Sequence, residues 1–223
     1  MHTDDEINEL IMLLEELYPE ALCTLEYSKD YELLFSARLA AQCTDARVNM
    51  IAPVLFERYP TLEAFAGADA AQLEEVIRPC GFFRTKARDI IAAAFMILSE
   101  FGGRVPDTME DLLRLPGVGR KTANLILGDV HKKPAVVVDT HCIRLANRIG
   151  LVNTDNPDKI EAVLRGLLPA ALSSDFCHRL VLHGRAVCKA RKPNCAQCGI
   201  AGLCRWHAGQ SDGREKSERS ILT

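Results

Sequence analysis

No stretch of the sequence stays apolar over the roughly 18 residues that a bilayer-spanning helix requires, so no membrane association is expected. Its start lacks cations. Asp4, Asp5, Glu6, Glu9, Glu15, Glu16 and Glu20 stand there without a Lys or Arg, which excludes the basic opening of a secretory signal and points to the cytoplasm. No unit of roughly 20–50 residues recurs, which excludes solenoids and propellers. Strand-like patterning is confined to Pro134–Val138, too short to build a sheet. An excess of positive charge is also missing. The 27 Lys and Arg against 30 Asp and Glu give a net charge of −3, a sum that by itself argues against a polyanionic partner.

What remains is helical periodicity almost throughout, in a chain of 223 residues that is 48% hydrophobic and can bury a sizeable core. Ile7, Leu10, Ile11, Leu14 and Leu17 form one apolar stripe. Val48, Ile51, Ala52, Leu55, Phe56 and Tyr59 form a second. Ala87, Ile90, Ile91, Ala94, Phe95 and Leu98 form a third, stopped by Gly102 and Gly103. Leu73, Val76 and Ile77 mark a shorter helix. Asn156-Pro157 reads as a cap followed by a first-turn proline, and Ser173 or Ser174 reads as the cap of a helix running to about Val187. The fold class is therefore all-α. Charge is unevenly spread: Phe176–Ser211 holds Arg179, Arg185, Lys189, Arg191, Lys192 and Arg205 and no acid, a basic face compatible with DNA.

Two helical patterns, Met109–Arg114 and Thr122–Val130, are interrupted by Leu115-Pro116-Gly117-Val118-Gly119-Arg120-Lys121. Pro116 cannot continue the first helix without cost, and Gly117 and Gly119 permit positive φ and close backbone approach. The second helix then starts at about Arg120 with outward amides, a phosphate site by dipole and by unpaired N–H groups. A plain helical corner would carry the same turn. Lys121 falls in that first turn, where the dipole disfavours an ammonium; partial burial would add desolvation and leave a nucleophilic amine. The same geometry would serve a phosphate-contacting lysine.

The run Val136-Val137-Val138 delivers Asp139 to the start of the next helix, Thr140–Ile149. Asp139 is expected to cap it, accepting from the amide of His141 or Cys142. A carboxylate held in this way can also stabilise a cationic sugar. Of the nine cysteines, Cys23, Cys43, Cys80, Cys142 and Cys177 are scattered and read as small buried hydrophobes. Cys188, Cys195, Cys198 and Cys204 crowd together, and in a reducing compartment such a set reads as a metal centre rather than disulfides. Zinc and an iron–sulfur cluster both suit four thiolates. The intervening Lys189–Asn194 carries three cations, Lys189, Arg191 and Lys192, stiffened by its tether.

Three signatures thus stand in order: Leu-Pro-Gly-Val-Gly-Arg-Lys-Thr-Ala-Asn at 115–124, Val-Asp-Thr-His at 138–141, and the cysteine quartet at 188–204. Together they resemble the endonuclease III family of helix–hairpin–helix DNA glycosylases, over nearly the whole chain. The resemblance implies two helical domains with a DNA-binding cleft between them. One is a six-helix barrel over 23–133 containing the hairpin. The other joins 1–22 to 134–208 and holds a 4Fe–4S cluster, leaving 209–223 as a flexible tail. It implies Lys121 as nucleophile, Asp139 as catalytic carboxylate, and Cys188, Cys195, Cys198 and Cys204 as cluster ligands. DNA contacts fall to Gly117, Val118, Gly119, Arg120, His141 and the loop cations Lys189, Arg191 and Lys192.

Ala41-Gln42-Cys43-Thr44-Asp45 resembles the family loop whose glutamine fills the space left by an extruded base, although Gln42 also fits a helix end leading into a Thr44 or Asp45 cap. Gly81-Phe82-Phe83-Arg84-Thr85-Lys86-Ala87 resembles the loop that wedges an apolar residue into the duplex, with Phe82 the wedge or else a core phenylalanine. One departure stands out. Leu113 occupies a position where many members carry a carboxylate, which bears on proton transfer and lesion choice. Lys121 favours a bifunctional glycosylase and apurinic/apyrimidinic lyase for oxidised pyrimidines, acting as a monomer on damaged double-stranded DNA in the cytoplasm and nucleoid. A monofunctional uracil or mismatch glycosylase and a non-catalytic, cluster-bearing DNA-binding protein are the rival readings.

Overall fold

The computed structural model describes residues 2–209, so the tail expected beyond them lies outside the described residues. No strand forms among the described residues; Pro134–Val138 is extended but pairs with nothing in a ladder. No helix among them is long and apolar enough to cross a membrane. The chain divides into two compact units.

Cys23–Lys133 is one unit. It contains α2 (Asp30–Leu39), α3 (Asp45–Arg58), α4 (Leu62–Ala66), α5 (Ala70–Ile77), α6 (Phe83–Glu100), α7 (Met109–Arg114) and α8 (Arg120–Asp129). Helix α2 runs through the middle. Leu33, Leu34, Phe35, Ser36 and Leu39 are all buried, an apolar girdle too wide for a surface helix. Phe65 anchors the packing, its ring 4.8 Å edge-on from that of Phe35 and 5.2 Å from that of Tyr59. On α6 the buried stripe is Ala87, Ile90, Ala93, Ala94 and Ile97, while Phe95, assigned to the core from sequence, is 63% exposed. The stripe is rotated toward alanines because α4 and α5 both lie close against this helix, and small residues permit that approach.

The other unit combines α1 (Asp4–Leu17) with the chain from Pro134 onward: α9 (Thr140–Ile149), α10 (Pro157–Leu167), α11 (Ser173–Ala186) and the cysteine-bearing turns. Thr3 and Glu6 form a reciprocal capping box on α1, which buries Ile7, Leu10, Ile11 and Leu14 against α11 and neighbours. Buried Arg179 fastens the contact, its Nε donating to the Tyr18 carbonyl at 3.2 Å and Nη2 to Glu15 at 3.3 Å. Asn156 caps α10 by accepting from the Lys159 amide at 3.0 Å, as the Asn-Pro pair predicts. Ser173 does not cap α11. Its hydroxyl donates to Ala170 O at 2.9 Å and accepts from the Ala135 amide at 3.2 Å, so it is spent on anchoring the extended segment.

Candidate active site and cluster centre

Helix α7 is capped by Thr108, whose hydroxyl accepts from the Asp111 amide, and it ends at Leu115, which is buried and pins the turn. Val118 N–H donates to Leu115 O at 3.1 Å, closing the hairpin. Gly117 has φ +76°, and a Cβ there would stand 2.5 Å from Arg38 Nε and 3.0 Å from Asp89 Cβ. The backbone therefore rests directly on an ion pair joining α2 to α6, in which Arg38 Nη2 and Nε donate to Asp89 Oδ2 at 2.7 and 3.0 Å. Nothing in the sequence pattern announced that pair; Arg38 and Asp89 look like ordinary helix-surface charges until the glycine places a backbone on them.

Gly119 is the N-cap of α8 and offers no side chain to its amides, and space around it is open. Thr44, Thr61, Asp69, Thr108, Asp139 and Asn156 cap their helices with side-chain oxygens. The start of α8 thus has no side-chain cap at Gly119, the kind of helix terminus that suits an anion. Lys121 in that turn is exposed. The partial burial weighed from the sequence is thus not met.

Gln42 and Phe82 are exposed, with φ of +56° and +47°. Phe82, 65% exposed, is not a core residue. Gln42 follows the end of α2, and Thr44 caps α3 by accepting from the Arg47 amide at 3.3 Å, so the helix-end reading of this loop holds without consuming the Gln42 side chain. Left-handed backbone at a glutamine and a phenylalanine is strained and persists only where surroundings dictate it.

In the other unit, Asp139 caps α9 as expected: Oδ1 accepts from the Cys142 amide at 2.7 Å. Its second oxygen lies 3.1 Å from His141 Nδ1. Buried Ala135–Val138 fix the approach, leaving the carboxylate 16% exposed.

Cys188, Cys195, Cys198 and Cys204 are half-buried and line one pocket together with Arg148, His183 and Trp206. Burial pushes the Cys198 and Cys204 thiols up; backbone amides of Ile200, and of His207 and Trp206, respectively, pull the other way, and the neighbouring cysteines add to the rise. Such thiols ionise when a cationic centre takes them. Arg148 Nη1 stands 3.4 Å from Cys188 Sγ, and His183 Nε2 stands 3.4 Å from Cys198 Sγ. No three His, Cys, Asp or Glu among the described residues are disposed to hold a single metal ion. Four thiols about one pocket are a donor set that fits an iron–sulfur cluster. Arg148 also donates to Lys189 O at 2.9 Å and Ala190 O at 2.7 Å, holding the loop whose Lys189, Arg191 and Lys192 are exposed.

Residues 35–170 match the HhH-GPD superfamily of base excision DNA repair proteins, and 188–204 match the iron–sulfur binding domain of endonuclease III, beginning and ending on Cys188 and Cys204. Endonuclease III of a Synechocystis species is 47% identical over 197 residues, 88% of this chain and 90% of that protein.

The chain belongs to the endonuclease III family.

It is accordingly a DNA glycosylase/AP lyase with a 4Fe–4S cluster. Two solved endonuclease III structures are 36% identical to it, each covering 95% of this chain and 100% of the other. One is a trapped endonuclease III–DNA covalent intermediate with a TM-score of 0.88, the other a non-covalent endonuclease III–DNA complex with a TM-score of 0.89. Sequence reasoning missed Arg148, Arg144, His183, Arg38 and Asp89. Arg144 and Arg148, four apart on α9, share a face and both donate to the backbone of the cysteine loop, at Cys188 O for Arg144. That spacing was the one available signal, legible only once α9 was known to face the loop.

Proposed function

We propose that Lys121 Nζ is the nucleophile and Asp139 the charge-stabilising carboxylate of the family chemistry in this chain, and that oxidised pyrimidines in double-stranded DNA are its substrates. The hairpin Gly117–Arg120 and the loop cations Lys189, Arg191 and Lys192 hold the phosphate backbone without reading sequence. The damaged nucleotide leaves the stack at a cost of a few kcal/mol, least for a poorly stacked lesion. Phe82 enters the duplex as a wedge, Gln42 occupies the vacated space, and His141 contacts the strand while orienting Asp139.

Lys121 Nζ attacks C1′ as the bond to the base breaks, and the base departs as a neutral molecule after taking up a proton. Asp139 opposes the positive charge that builds on the sugar ring. One of the two protons on nitrogen passes to O4′ as the C1′–O4′ bond breaks, which opens the ring and leaves a protonated imine between Nζ and C1′. Loss of a C2′ proton then expels the 3′ phosphate, and water hydrolyses the imine to free Lys121. Cys188, Cys195, Cys198 and Cys204 would hold the 4Fe–4S cluster, which when bound cross-links residues 188–204 and fixes the cationic loop. The protein acts as a monomer in the cytoplasm, associated with the nucleoid through DNA.

The observation that carries this reading is a primary amine, exposed and one residue inside an uncapped helix start, in a chain similar to one caught covalently on DNA. Borohydride added to the protein with an oligonucleotide carrying an oxidised pyrimidine should trap a covalent adduct, and Lys121→Gln should abolish it while leaving duplex affinity within a few fold. Loss of affinity by orders of magnitude would instead make Lys121 a phosphate contact, and absence of the wild-type adduct would remove the lyase.

A further inference from the structure

Lys86 is 1% exposed, an ammonium buried in the first turn of α6 where the helix dipole repels it. Burial pulls its ionisation down from the usual lysine range, with the Cys80 and Cys43 thiols opposing that effect. Such a group is tolerated when its donors are satisfied. Here Nζ donates at 2.8 Å to Leu39 O and at 2.8 Å to Cys80 O. Leu39 is the last residue of α2, and Cys80 the last of the 3₁₀ turn Arg78–Cys80. Both are helix C-terminal carbonyls, the ends that attract a cation. Gln42 lies three residues beyond the first carbonyl, and Phe82 two residues beyond the second. Both carry left-handed backbone, and the only other non-glycine residue with positive φ among the described residues is Lys132.

We propose that Lys86 is a positioning residue that clamps the Gln42 and Phe82 loops to one point and presets both for entry into the duplex. One buried amine ties the root of each loop, so the two strained residues are held together and in register before DNA arrives. The inference rests on the reading that Gln42 and Phe82 enter the duplex. It assigns Lys86 no contact with DNA and no part in bond breaking.

The test compares two substrates, an oxidised pyrimidine in duplex DNA and an abasic site in single-stranded DNA, which offers no stack to wedge and no partner base to replace. Lys86→Met, which keeps the stem and removes the donors, should slow single-turnover cleavage of the duplex substrate about tenfold or more relative to its effect on the single strand, the scale expected if a strained loop loses its support. Equal slowing on both substrates, or none on either, overturns the clamp. If Lys86→Met loses its helical circular dichroism, Lys86→Gln decides by the same ratio. Gln42→Ala and Phe82→Ala are run in parallel. Should these leave duplex cleavage unchanged, the insertion reading itself fails. Should they produce the duplex-selective loss while the Lys86 variants do not, only the clamp fails.

Discussion

Asp139 serves a helix and, on our proposal, a reaction, and the two roles can be separated by one atom. Asparagine caps helices about as well as aspartate, whereas alanine in its place costs roughly 1 kcal/mol. Asp139→Asn should therefore leave the thermal midpoint nearly unchanged while base excision falls by roughly 10²–10³-fold, the scale seen when an electrostatic stabiliser is removed. Asp139→Ala should lower both. Calorimetry and single-turnover kinetics on the same preparations check the pair, and an active Asp139→Asn variant would reduce the residue to a cap. At this scale the sequence was legible where local patterns are distinctive: the Pro-Gly-Val-Gly turn, the aspartate cap at the end of a valine run, four crowded cysteines. It was silent where meaning depends on a distant partner. Lys86 looks like a surface cation of α6 until its amine is found against two carbonyls, one of them 47 residues away.

The hairpin between α7 and α8 shows how an element depends on its bed. Gly117 cannot accept a side chain, because φ is +76° and the added carbon would collide with Arg38. Gly117→Ala should cost roughly 1–3 kcal/mol in urea unfolding from backbone strain, more where Arg38 must leave Asp89. It should also weaken duplex binding at low salt, measured by fluorescence anisotropy. The loop after α11 behaves differently. Lys189, Arg191 and Lys192 are exposed and should act additively, each alanine lowering the slope of log affinity against log salt by about 1, without preference for sequence. A slope unchanged by all three substitutions would take this loop off the DNA. The start of α10 followed from its cap, Asn156. Helix facing did not always, because Phe95 satisfies the periodicity of α6 yet alanines on the adjacent stripe meet α4 and α5.

At the scale of the whole molecule, the cysteine quartet belongs to the unit that also contains α1, α9, α10 and α11, while Cys23–Lys133 is a unit in its own right. Removing iron with a chelator under reducing conditions should bleach absorbance near about 400 nm. Amide exchange should then rise first in residues 188–204 and next in α9 and α11, whose Arg144, Arg148 and His183 reach into the loop, while α2 and α8 remain slow. Uniform exchange across both units would contradict this division. The class of the fold was readable from helical periodicity alone. Its division into units entered through the resemblance, since no run of residues announces that α1 packs beside α11.

That discontinuity has a consequence for biosynthesis. The apolar face of α1 is translated about 150 residues before the helix it rests on, a delay of roughly 8–30 s at ordinary ribosome speeds. Over that interval Ile7, Leu10, Ile11 and Leu14 have no native surface to cover them, while the segment 23–133 can already collapse on itself. The nascent chain thus carries an amphipathic segment whose apolar face stays uncovered until α11 has been made. Its acidic opposite face, free of lysine and arginine, would keep the waiting helix from settling on ribosomal RNA.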